Sequence, residues 1–106
     1  MQSSANAMNN ASEQGLMIPA FNIPYLPMVE PVIRAVADQD CFALVEVARL
    51  EWLKFGAVSL AAVMEEFNKW NQPEYVRIHL NHVHVIDEED LVVDYVSIIQ
   101  EGIQLV

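Results

Sequence analysis

Apolar and polar positions along this chain follow two periods, and the switches between them mark out its elements. From Tyr75 to His82 the period is two. Val76, Ile78 and Leu80 fall on one face and Arg77, His79 and Asn81 on the other, the pattern of a strand with one buried side. Cys41 to Ala48 is short and almost wholly apolar, and reads as a strand covered on both faces. Leu16 to Ile23 reads as a first strand, although Pro19 brings no donor to a ladder. Between these runs the period lengthens. Met28, Val32, Ala35 and Val36 share one face of a helix entered through Pro24 and Pro27, with Pro31 tolerable only in its first turn. Phe55 to Trp70 reads as a long helix whose apolar surface includes Val58, Ala61, Ala62, Met64 and Phe67. Ser59 is a partial cap there, Gly56 a break near the start, and Asn71-Gln72-Pro73 the stop. The run Asp87-Glu88-Glu89-Asp90 suits the N-cap and acidic first turn of a third helix carrying Leu91, Tyr95, Ile98 and Ile99. Gly102 then ends that helix, and Ile103 to Val106 begins a fourth strand.

The predicted order is β-α-β-α-β-α-β, which forces parallel pairing through helical crossovers and places the chain in the α/β class. Residues 1–14 are rich in Asn, Ser and Ala and read as a flexible polar tail or a frayed turn of helix, outside the core. Residues 15–106 form the single domain that this length permits.

Charge narrows the partners. Fifteen acidic against five basic side chains give a formal charge of −10. That argues against nucleic acid, whose phosphates call for Lys and Arg, and against anionic membrane surfaces. No apolar run approaches the ~20 residues that span a bilayer. The N-terminus lacks the basic and apolar regions of an export signal. Cys41 is the single cysteine, which suits a reducing cytoplasm, and its place at the head of an apolar run predicts a buried, inert thiol.

The chemistry concentrates in Ile78-His79-Leu80-Asn81-His82-Val83-His84, which holds all three histidines. Polar groups at the carboxyl end of a parallel strand are where α/β folds keep their sites. His82 and His84, just past that end, have ring nitrogens suited to a metal. The alternative is a strand whose polar side faces water or hydrogen-bonds in a core. His82-Val83-His84 with Glu88 also matches a His-x-His-x3-Glu cupin spacing, but the glycine flanks are missing and the following residues read as helical.

Pro19-Ala20-Phe21-Asn22-Ile23, the apolar second strand, and Ile78-His79-Leu80-Asn81-His82 together resemble the N-terminal half of class II, metal-dependent ketose-bisphosphate aldolases. The resemblance covers about Gly15 to Val106. It implies a (β/α)8 barrel of typically ~250 residues, of which this chain supplies strands one to four, a half barrel. It also implies zinc-dependent aldol cleavage or condensation of a phosphorylated sugar, with Zn²⁺ acting as a Lewis acid on the ketose oxygens. On the same resemblance His82 is the first zinc ligand, with His84 a further candidate, and Asn22 faces the substrate. The acid/base aspartate of the family falls at Asn81, where a carboxamide cannot take up and return a proton. His79, pointing into the lumen, is a neighbour that orients a ligand or a satisfied core group. Arg49 either approaches a substrate phosphate or pairs with Glu46 or Glu51. The family's glycine after the ligand histidine is replaced by Val83. These departures imply a chain that is incomplete and inactive alone, or a non-catalytic half barrel kept for interaction. Exposed edges at Leu16–Ile23 and Ile103–Val106 imply self-association.

Overall fold

The computed structural model describes residues 2–106. Three parallel strands, β1 (Ala20–Asn22), β2 (Ala43–Ala48) and β3 (Val76–Asn81), pair in chain order. Five helices accompany them: α1 (Ser4–Glu13), α2 (Val29–Asp38), α3 (Arg49–Lys54), α4 (Leu60–Trp70) and α5 (Tyr95–Leu105). A 3-10 turn, Leu26–Met28, leads into α2. Pro27 lies at its start and Pro31 at the third residue of α2, both inside the first turn, where a missing N–H breaks no helical bond.

The period-two reading of the strands holds. Ala43, Val45, Val47 and Val76 are fully buried, and with Ile78 and Leu80 they meet Ile33 and Val36 of α2 and Leu60, Val63 and Phe67 of α4. Ile78 touches both halves of this core and joins them. Leu44, Glu46, Arg77, His79 and Asn81 take the opposite face. Pro19 fits because it sits at the first rung: its carbonyl accepts from Leu44 N–H at 3.0 Å, and no ladder donor is needed below it.

Several boundaries differ from the sequence expectation. Residues 103–105 are the last turn of α5 and not a fourth strand. Ile98, Gly102 and Leu105 form the half-buried side of that helix, a helical spacing. Gly102 marks close approach instead of a stop, since a Cβ there would lie 3.1 Å from Leu80 Cδ2 on β3. The acidic run does not open a helix either. Asp87 Oδ1 accepts from the N–H groups of Glu89 and Leu91, each at 2.9 Å, and an antiparallel bridge between Ile86 and Val92 closes the turn. An aspartate that captures nearby backbone donors favours a turn over a helix. The helix starts later, with Asp94 accepting from Ser97 N–H. α4 likewise begins at Leu60, capped by Ser59, whose hydroxyl accepts from Ala62 N–H at 3.0 Å. α3 is too short to show a period, and sequence reasoning missed it. Cys41 is exposed, not buried. It precedes the first residue of β2, and its Sγ lies 3.4 Å from the Val36 carbonyl.

The N-terminal segment expected as a polar tail is helical from Ser4 to Glu13, with Ser3 as its cap. It gives only Ala7 to the buried set and belongs to neither core cluster. Arg77, at the amino end of β3, holds it by donating to the Gln2 carbonyl at 2.9 Å. No helix among the described residues is long and apolar enough to cross a membrane.

Val58 lies at φ +73° between Gly56-Ala57 and the cap of α4, with its side chain 65% exposed. Left-handed backbone costs an L-residue about 1–2 kcal/mol, and a β-branched residue is poorly suited to it. Little packing is lost on removing this side chain. Val58→Gly is expected to stabilise the fold by about 1 kcal/mol, raising the thermal midpoint by about 4–8 °C. Thermal unfolding followed by circular dichroism checks this, and a lowered midpoint contradicts the strain.

Candidate active site at the carboxyl ends of the strands

The register lines polar side chains up across the sheet. Asn22 stands opposite Glu46 and Glu46 opposite His79, while Ala48 pairs with Asn81 two residues further along. All three strands therefore deliver their last residues to one end, with His82 immediately beyond.

Glu51 organises the first part of that end. It is the one buried charged residue among those described, 6% exposed. As the third residue of α3 it reaches back to the N–H of Ala48 with Oε2 at 2.6 Å, half of a capping box. Its Oε1 accepts from Asn22 Nδ2 at 2.9 Å. The carboxylate thus ties the end of β2 to the end of β1 and fixes the rotamer of Asn22. Sequence reasoning considered Glu51 only as a partner for Arg49. The signal that identifies it is a glutamate three positions after a strand end that opens a helix.

Arg49 pairs with neither Glu46 nor Glu51. Its Nη1 lies 3.4 Å from Asp87 Oδ2. At the other end of α3, Lys54 Nζ lies 2.8 Å from Glu89 and 3.5 Å from Glu88. The acidic turn is therefore the counterpart of α3, and it locks the loop after β3 against the helix after β2. Backbone donors of Leu91 and Glu89, with Arg49 adding to them, hold the Asp87 carboxyl below the usual carboxylate range.

The histidines divide. His79 Nε2 lies 3.8 Å from Glu46 Oε2 on the strand's polar face. His82 and His84 are both exposed, with near-parallel rings 5.9 Å apart. His82 has φ +48°, an uncommon conformation for a non-glycine residue and one that gathers at functional sites. Among the described residues, no three His, Cys, Asp or Glu side chains converge to hold a metal. A catalytic zinc centre requires three protein ligands and an open position, and the residues present do not supply it.

A parallel sheet with its polar ends gathered at one pole, and helices over its apolar face, is the arrangement of βα units in the α/β class. The family model described as fructose-bisphosphate aldolase class II matches residues 2–102, and the chain belongs to that family. Its fold is the (β/α)8 barrel, its chemistry that of an aldehyde-lyase, and it is generally zinc-dependent. The match begins at Gln2 and so takes in α1, which the sequence resemblance had left out. No curated protein matches the chain.

Two outcomes follow from these contacts. Glu51→Ala leaves the buried Ala48 N–H without a partner and frees Asn22, and is expected to destabilise by about 2 kcal/mol, read as a lower urea midpoint; an unchanged midpoint contradicts the tie. Asp87, depressed in the folded state, contributes stability that is present above the ordinary carboxyl value of about 3.9 and is lost as pH falls through its lower folded value. The midpoint gap between wild type and Asp87→Asn should be open at pH 7 and close as pH falls below the ordinary carboxyl range. A gap independent of pH would show that the Asp87 charge plays no part.

Proposed function

We propose that this chain forms the β1–β3 part of the wall, from the N-terminal side, of a class II aldolase barrel acting on a phosphorylated ketose, and that its own residues do not complete the catalytic site. The observation that supports the reading is the delivery of Asn22, Asn81 and His82 to one pole of a parallel sheet in a chain of this family. His82 takes the place of the first zinc ligand, with His84 beside it, and the remaining ligands come from strands outside this wall. Asn22, held by Glu51, presents its carbonyl oxygen toward the substrate. Arg49, released from Asp87, is placed for a phosphate. His79 orients its neighbours on the polar face. The described residues do not by themselves make a zinc site. A cytoplasmic setting fits the exposed lone thiol of Cys41.

Asn81 favours a second reading, a non-catalytic half barrel retained for interaction. A carboxamide hydrogen-bonds but cannot relay the proton of the cleaved bond.

Both readings make a common expectation for the isolated chain. Calorimetry should show zinc binding weaker than ~10 μM. Cleavage of fructose 1,6-bisphosphate should stay at the zinc blank, and Asn81→Asp should not restore it. Tight one-to-one zinc binding abolished by His82→Ala, with turnover, would refute the incomplete site.

A further inference from the structure

Arg49 and Lys54 are two of the chain's five cationic side chains, and one acidic turn claims both. Arg49 Nη1 lies 3.4 Å from Asp87 Oδ2, and Lys54 Nζ lies 2.8 Å from Glu89 and 3.5 Å from Glu88. This clasp joins the connections that follow two adjacent strands, β2 and β3, and all its charged members belong to them. Apolar packing adds little: no residue from His82 to Val92 joins the buried core, and Val93 is the first that does. Lys54, Glu88 and Glu89 are exposed, and exposed pairs contribute little. The Arg49–Asp87 pair, with side chains 24% and 7% exposed, therefore decides whether the loop stays on α3. Asp87 divides its oxygens between separate tasks. Oδ1 accepts from the N–H groups of Glu89 and Leu91 and shapes the turn, while Oδ2 meets Arg49. That meeting is loose, since 3.4 Å exceeds the ~2.7–2.9 Å of a strong charge-assisted bond. Arg49 spends one Nη1 contact on it, a small part of what a guanidinium can donate.

We propose that Arg49 and Asp87 form a latch that an anion opens. A phosphate group on the Arg49 guanidinium displaces Asp87 Oδ2 and releases the loop from α3, so that anion binding and loop opening are one linked event. The latch presupposes Arg49 as a phosphate-facing residue of the pole and adds how access to it is governed. In the closed state the turn is a built-in anion. A phosphate offers the guanidinium fork two oxygens, where Asp87 offers one. Glu88 and Glu89, beside it, repel an incoming anion, so the turn and a phosphate exclude one another at α3. A short two-stranded turn is marginal without packing, and once off α3 it loses protection of the Asp87, Leu91 and Val93 N–H groups, which are bonded only within the loop. His84 lies on the moving segment and His82 at its root, so the latch also governs whether the two stacked imidazoles stay side by side. Linkage makes the coupling reciprocal: the factor by which phosphate favours the open loop is the factor by which opening favours phosphate.

Amide hydrogen exchange of the full isotope-labelled chain tests the latch, in inorganic phosphate and in chloride at equal ionic strength, with β2 amides as the internal measure of folding. In wild type, phosphate should speed exchange at Asp87, Leu91 and Val93 by at least about fivefold, the low end of coupling between linked sites, and leave β2 unchanged. Arg49→Gln should exchange fast at these amides in both salts and ignore phosphate. Asp87→Asn keeps the Oδ1 acceptor of the turn and loses the charge on Oδ2. It should open the loop in chloride and lower the phosphate dissociation constant by the same factor, read from the Arg49 side-chain resonance. Asp90→Asn removes equal charge from the same turn at φ +61°, which Asn tolerates, and should change neither quantity. Equal wild-type loop exchange in the two salts, a loop still protected in Arg49→Gln, or an Asp90→Asn effect as large as that of Asp87→Asn overturns the proposal. The aldolase reading fails separately: fructose 1,6-bisphosphate that opens the loop no better than inorganic phosphate counts against that substrate, while the latch stands.

Discussion

The pairing of β2 with β3 fixes where nearly every other group lies. Glu46 opposite His79 and Ala48 opposite Asn81 set a register in which Val45, Val47, Ile78 and Leu80 all face the helices. A slip of one residue would turn that apolar set outward and bury Arg77 and His79. With the register fixed, the carboxyl ends of the strands coincide, and the loops after β2 and β3 emerge side by side. α3 and the acidic turn can then meet, Arg49 against Asp87 and Lys54 against Glu88 and Glu89.

The polar pole is built largely from groups that hold one another. Asn22 is oriented by Glu51, Glu51 by the Ala48 N–H, and Arg49 by Asp87. This preorganisation holds Asn22 in place and engages the Arg49 guanidinium with Asp87. His82 and His84 remain exposed, their rings stacked on each other, with His82 in a left-handed conformation just beyond β3. Family membership and the chemistry of this chain are therefore separate matters. The sheet fits the family's α/β fold, while among the described residues no three His, Cys, Asp or Glu side chains converge to hold a metal.

The strands were legible because period-two alternation is strong in β3 and the apolar run in β2 is short and bounded. The family was legible from the same residues, since the motif falls at a strand end where its context can be checked. The C-terminal third was harder to read. Asp87-Glu88-Glu89-Asp90 has the composition of a helix start, and only the capture of Glu89 and Leu91 N–H groups by the Asp87 side chain makes it a turn. Gly102 looked like a stop because a glycine after apolar periodicity usually is one. Its actual role, close approach to Leu80, belongs to tertiary packing and leaves no local mark. Glu51 carried a readable capping signal that competed with a simpler charge pairing to Arg49.

Nuclear magnetic resonance of the isotope-labelled chain addresses the register most directly. Interstrand amide and α-proton contacts should pair Glu46 with His79, Ala48 with Asn81, and Asn22 with Glu46, in the slanted pattern of parallel strands. Contacts that instead pair Glu46 with Ile78 or Leu80, or an antiparallel pattern between β1 and β2, would contradict the account, because the polar pole and the buried face would then exchange places.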